Sequence, residues 1–196
     1  PLKGFDLFNY MALIVCARAR DYAEITFHKF ADELEAKDAA GQYAFGAPEN
    51  EKHRVTWEGI AVWTYLGATF KGLKNQGAVM TGSAYPGLWS LVYTPGDLES
   101  MAEAYTNVYI NTCGPNRYEE FYKVVKNSKS DGIVLHLNRS CKLMGLLNNE
   151  GAEYVNAKLG VPYVSFDGDQ TDPRVFTPAQ YETRVQALTE MMDENQ

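Results

Sequence analysis

The chain has 196 residues, a net charge of −7 and 45% apolar against 22% charged residues. This is the composition of a globular domain able to bury about 70% of its unfolded surface without staples. The acidic balance excludes nucleic acid as a main partner, and no apolar run approaches the roughly 18 residues of a membrane span. Three cysteines without CxxC spacing, Cys16, Cys113 and Cys141, fit a reducing cytoplasm rather than a disulfide framework. Apolar positions at helical spacing (Phe5, Phe8, Ala12, then Ile25, Phe27, Phe30, Leu34) predict one or two helices over residues 1–40. "FNYMALIVCARA" has no cleavage pattern and is expected to be a buried helix, with Cys16 in its core face. "GQYAFGAPENEKH" is a connector, so a helical segment over 1–50 is expected to precede an α/β domain over 51–196.

From Arg54 onward, short apolar strands alternate with amphipathic helices. "RVTWEG", "AVMTGSAY", "GIVLHL" and "VPYVSF" are predicted strands. The first is followed by a helix through Leu66, Phe70 and Leu73 that stops at Gly77. "DLESMAEAYTNVYI" and "NRYEEFYKVVKNSK" are predicted helices with Asp97 and Asn116 as N-caps. A helix opened by Cys141 buries Leu143, Leu146, Leu147, Tyr154, Val155 and Leu159 and closes at Gly160. A last helix begins with Thr177 as N-cap, Pro178, and Gln180 completing a capping box. Its buried stripe is Tyr181, Val185, Leu188 and Met192. This alternation predicts an α/β fold: a parallel sheet of four strands or slightly more, Rossmann- or flavodoxin-like, flanked by helices.

Ligands in such sheets bind outside the carboxyl ends of the strands. Four loops should therefore converge on one rim: "WEG" (Trp57–Gly59), "TGSAY" (with Ser83 and Tyr85), "NRSCK" (Asn138–Lys142) and "DGDQTDP" (with Asp167, Asp169 and Gln170). Cys141 stands at a helix N-terminus between Arg139 and Lys142, an environment that favours a thiolate. A nucleophile or soft-metal ligand and a small buried residue at a strand–helix turn are both consistent with that position. No histidine is placed as its base, and neither a zinc nor a complete iron–sulfur ligand set is present. The carboxylates of "DGDQTDP" suit turn-making more than metal binding or proton transfer. Glu58 is either a base or ligand-orienting carboxylate at a strand end or a solvated rim charge. No phosphate-binding glycine motif occurs.

The chain resembles the α-type subunit of the 2-hydroxyacyl-CoA dehydratase family, related to benzoyl-CoA reductases. The match rests on "HRVTWEGIAVW", "TGSAYPGLWSLVY", "DGIVLHLNRSCKLMG" and "LGVPYVSFDGDQTDPRVFTPAQYETRVQALTEMM", and "NRSCK" followed by "DGDQTDPR" is specific as a pair. Residues 1–40 match only loosely. The resemblance implies a subunit of about twice this length, of which this would be the C-terminal part beginning at Pro1. It implies a [4Fe-4S] cluster held by three cysteines, with Cys141 matching the last ligand and the other two absent from this chain.

The resemblance further implies Asn138, Arg139, Ser140 and Lys142 around the cluster and substrate; together with the strand-end positions this makes Glu58, Arg139 and Ser140 the candidates for catalysis and Trp57, Ser83, Tyr85, Asp167, Asp169 and Gln170 the candidates for the substrate rim. It implies a β-type partner subunit, an acyl-CoA substrate, and an ATP-dependent activator delivering one electron to form a ketyl radical that expels the 2-hydroxyl. Some family members also carry a flavin, which no pattern here supports. A benzoyl-CoA reductase-type subunit and a cluster-free binding or assembly module are the alternatives. The acyl group is not encoded in any motif.

Overall fold

The computed structural model of the chain describes residues 1–195. Two helices open it, α1 (Gly4–Cys16) and α2 (Asp21–Ala39). There follow β1 (His53–Glu58), α3 (Leu66–Asn75), β2 (Ala78–Ser83), α4 (Leu98–Asn107) and α5 (Gly114–Asn127). The remainder is β3 (Gly132–Asn138), α6 (Lys142–Leu159), β4 (Tyr163–Gly168) and α7 (Pro178–Glu194). The strands form one four-stranded, all-parallel sheet in the order β2-β1-β3-β4. The expected α/β architecture is therefore present. The order reverses direction between β1 and β3, which makes the gap between their carboxyl ends the switch point.

Helices cover both faces. On one face Phe8 and Met11 of α1, Leu73 of α3 and the predicted α7 stripe (Tyr181, Val185, Leu188, Met192) close over Val55, Trp57, Val134 and Phe166. On the other, Phe121 and Val125 of α5 and Ala152 and Val155 of α6 pack on Ile133 and Leu135. β1 and β3 are thus covered on both sides, which explains their nearly unbroken apolar runs. Among the described residues no helix is long and apolar enough to cross a membrane.

Several local expectations change. Cys16 is exposed at the end of α1 rather than in the core; the inward face of that helix is Gly4, Phe8 and Met11, and Gly4 sits where a Cβ would lie 2.7 Å from Met80. α2 buries only Ala23, and Ile25 is 54% exposed. α5 starts at Gly114, so Cys113 is its N-cap and Asn116 lies inside the first turn. α6 turns Met144, Asn148, Ala152 and Val155 inward, leaving Leu143 and Leu146 exposed. Thr177 caps α7 in position, but its side chain makes no capping bond. Asp97 does cap α4, accepting from the backbone N–H groups of Glu99 and Ser100 at 3.0 and 3.1 Å.

Candidate functional site

The switch point is built by a close backbone crossing. After β1 the chain turns at Gly59, whose φ is +103°, and a Cβ there would stand 2.5 Å from the His136 carbonyl oxygen on β3. Only glycine accepts both the dihedral and the approach. Across the crossing, the His136 imidazole stacks on Phe166 with centroids 5.1 Å apart and bonds the Ile60 carbonyl through Nδ1. Burial pushes its pKa below the ordinary value, so the ring is neutral and structural.

The "NRSCK" and "DGDQTDP" loops are latched together. The backbone N–H of Gln170 donates to Asn138 Oδ1 at 2.9 Å, that of Ser140 donates to Asp169 Oδ2 at 3.0 Å, and that of Arg139 donates to the Gly168 carbonyl at 3.0 Å. Asp169 Oδ1 accepts from the N–H groups of Thr171 and Asp172 at 2.9 and 3.0 Å. These donors, backbone first, hold its carboxyl well below the usual carboxylate range. With both oxygens occupied, Asp169 is a fixed anion that shapes the turn.

Cys141 is half-buried at the N-cap of α6, packed against the main core, with its N–H donating to the Asn138 carbonyl at 3.1 Å. Arg139, Ser140 and Lys142 are exposed around it, and Asn138 is buried beneath. Tyr85 from the β2 loop lies close: burial raises its phenol most, the hydrogen bond with Trp63 opposes this, and the neighbouring Cys141 raises it further. Asp167 is exposed, and Gln170 and Ser83 are half-exposed. The four loops thus meet at the carboxyl ends of the strands.

Trp57 does not. It is 1% exposed, in the aromatic core between Phe8, Phe70, Phe166 and Tyr181, with Nε1 donating to the Gly59 carbonyl at 3.1 Å. Its expected place on the rim is corrected by the alternation of β1, which turns Trp57 to the α1/α7 face and Glu58 to the α5/α6 face.

Glu58 is not a solvated charge either. It is fully buried, its Oε1 accepting from the Tyr109 hydroxyl at 2.8 Å and lying 3.7 Å from Arg117 Nη2. Arg117, equally buried, donates from Nη2 to Asn148 Oδ1 and to Met144 Sδ, both at 3.0 Å, and stacks over the Tyr109 ring at 4.5 Å. Burial pushes Glu58 up to about 7, against the pull of Arg117, the Tyr109 hydroxyl and the Gly59 N–H. Tyr109, Arg117 and Asn148 were not singled out from sequence. The available signal was Glu58 itself, since a carboxylate ending a fully covered strand requires a buried partner. Nothing in the sequence said which cation would supply it.

The family model described as "2-hydroxyglutaryl-CoA dehydratase, D-component" matches residues 1–192. The chain is 61% identical over 197 residues to the alpha subunit of the lactoyl-CoA dehydratase of Anaerotignum propionicum, covering 100% of this chain and 46% of that protein. It is 43% identical over 194 residues to the (R)-2-hydroxyisocaproyl-CoA dehydratase alpha subunit of Clostridioides difficile, covering 99% of this chain and 47% of that protein. A more distant match, 26% over 155 residues and 76% of this chain, is to a subunit of the benzoyl-CoA reductase of Thauera aromatica, of which it covers 36%. The chain therefore spans about half the length of the curated relatives it matches. With a family model covering almost all of it and relatives named as alpha subunits, the chain belongs to the 2-hydroxyglutaryl-CoA dehydratase D-component family, on the α-subunit side of the 2-hydroxyacyl-CoA dehydratases.

Proposed function

We propose that the chain is the C-terminal part of the α subunit of a 2-hydroxyacyl-CoA dehydratase, acting with a β-type subunit and an ATP-dependent one-electron activator in the cytoplasm. The single observation that carries this reading is the latched pair of loops at the carboxyl ends of β3 and β4, which presents Cys141 at the N-terminus of α6 in a family whose named members are dehydratases of 2-hydroxyacyl thioesters. Dehydration is redox-neutral overall. An electron that reduces the thioester carbonyl to a ketyl must therefore be recovered at the end of each turnover, which is why a one-electron couple belongs at the site.

An iron–sulfur cluster would supply that couple. Within this chain the residues make only a partial fit. Among the described residues no three His, Cys, Asp or Glu side chains group for a metal, and Cys16 and Cys113 are exposed on other elements. Cys141 therefore offers one thiolate of a set that the rest of the subunit would complete. What this chain does itself is positional. Asn138, Ser140 and Asp169 fix the loop that carries Cys141, while exposed Arg139 and Lys142 give the rim a positive edge suited to the phosphates of coenzyme A.

The test is an anaerobic assay of the full-length subunit with its β-type partner and activator. Lactoyl-CoA should be dehydrated faster than the 2-hydroxyisocaproyl and 2-hydroxyglutaryl thioesters, in line with the 61%, 43% and 39% identities to the relatives named for them. Reduction of benzoyl-CoA without dehydration of any hydroxyacyl thioester would assign the reductase reading instead. Inactivity on both, with no iron bound, would leave a cluster-free module.

A further inference from the structure

Cys141 opens a helix that has little of its own to fix it. The cysteine side chain makes no capping bond, the first turn of α6 carries no acidic residue, and Leu143 and Leu146 on the outer side are exposed. A helix start of this kind takes its position from what packs beneath it. Beneath α6 lies Arg117, 1% exposed, from the first turn of α5. Its Nη2 donates to Met144 Sδ and to Asn148 Oδ1, both at 3.0 Å, and so holds two successive turns of α6 on one face. Met144 stands three residues from Cys141 and belongs to the apolar cluster against which that cysteine packs. Arg117 is held in turn from β1: Nη2 lies 3.7 Å from Glu58 Oε1, and the Tyr109 ring under the guanidinium donates its hydroxyl to the same oxygen at 2.8 Å. The path from β1 to the helix of Cys141 runs through one guanidinium.

These groups are poorly arranged as a source of stability. Glu58 Oε2, Arg117 Nη1 and Asn148 Nδ2 are buried without a partner among the described residues, and a buried ion pair is often no more stabilising than apolar side chains of similar volume. What a guanidinium supplies, and an apolar contact does not, is direction. Its planar fork fixes acceptors at set angles, whereas apolar cores lose uniqueness of packing before they lose stability. We propose that Arg117 is a positioning residue for Cys141: clamped by Glu58, it sets the rotation of the first two turns of α6 and with it the direction in which the thiol faces the rim. The proposal rests on the function proposed above, in which that thiol is one ligand of a cluster. Asn138 and Asp169 fix the loop ahead of the cysteine, and Arg117 fixes the helix behind it. The two sets of bonds together determine both where the sulfur stands and where it points.

The test uses the full-length subunit assembled with its β-type partner. Wild type is compared with the double variant Glu58→Gln/Arg117→Met, which removes both charges and keeps most of the volume. Asn148→Ala is the milder variant, leaving the Glu58–Arg117 pair in place and taking away one acceptor on α6. After removal of iron, alkylation of Cys141 by iodoacetamide is followed by peptide mass spectrometry, with the exposed Cys16 of α1 as internal reference. The Tm of the double variant should stay within about 4 °C of wild type. The Cys141 rate, referred to Cys16, should nevertheless change about threefold or more in both variants. In the anaerobic, iron-loaded complex the electron paramagnetic resonance of the reduced cluster should shift its g-values, and kcat should fall about 10-fold or more, towards the 100-fold of a 1 Å misplacement. A Cys141 rate that changes less than this in a folded variant, or unmoved g-values, overturns the positioning role, whatever happens to Tm. Where the double variant does not assemble, Asn148→Ala decides by the same readouts. A wild type that binds no iron and dehydrates no hydroxyacyl thioester overturns the function proposed above instead, and the alkylation rates then decide the positioning role by themselves.

Discussion

Glu58 and Asp169 are carboxylates with opposite environments, and pH separates them. The folded chain raises Glu58 from 4.5 to about 7 through burial, so its contribution favours the fold below the unfolded pKa and is lost as pH rises through about 7. Thermal unfolding should therefore show a midpoint that falls between about pH 5 and about pH 8 in wild type and stays flatter in Glu58→Gln. Asp169 is lowered from 3.8 by the N–H groups it accepts, so its contribution is present above the unfolded value and lost only as pH falls below it. Asp169→Ala strips acceptors from three backbone N–H groups and should cost about 2 kcal/mol at neutral pH, read by urea unfolding.

Among the elements, caps and crossings carry unequal weight. Asp97 makes two capping bonds and Thr177 makes none through its side chain. Asp97→Ala should cost about 1 kcal/mol in chemical unfolding and Thr177→Ala less than half of that. The sequence pattern marked both positions equally, because the residue type shows where a cap can form and not whether the side chain turns to make it. α6 shows the same limit. Its leucines suggested the buried face, but Arg117 draws Asn148 and Met144 inward, and the helix rotates to put Leu143 and Leu146 outside. Gly59 is the opposite case, a residue with no side chain whose role is set entirely by its neighbours. Gly59→Ala would combine a strained φ of +103° with a contact 2.5 Å from the His136 carbonyl, and should cost about 3 kcal/mol or more in unfolding free energy.

For the whole molecule, the parallel sheet and the convergence of its loops were legible because α/β alternation admits few topologies. The α7 stripe, buried over its full length, followed from a clean helical period. The latch between "NRSCK" and "DGDQTDP" was anticipated as a shared rim, though not as the hydrogen bonds through Asn138 and Asp169 that make it. The Glu58 cluster was not legible, since Tyr109 and Arg117 lie 51 and 59 positions away in the chain, on segments with ordinary surface composition. On the function proposed above, the rim formed by these loops holds one thiol, Cys141, for a ligand set that the rest of the subunit would complete. The measurement that tests this most directly is the iron and sulfide content of the full-length subunit, purified anaerobically, as wild type and as Cys141→Ser with its fold verified by circular dichroism. The account predicts a cluster in wild type that is lost or much depleted in Cys141→Ser; full iron and sulfide in the folded variant would contradict it.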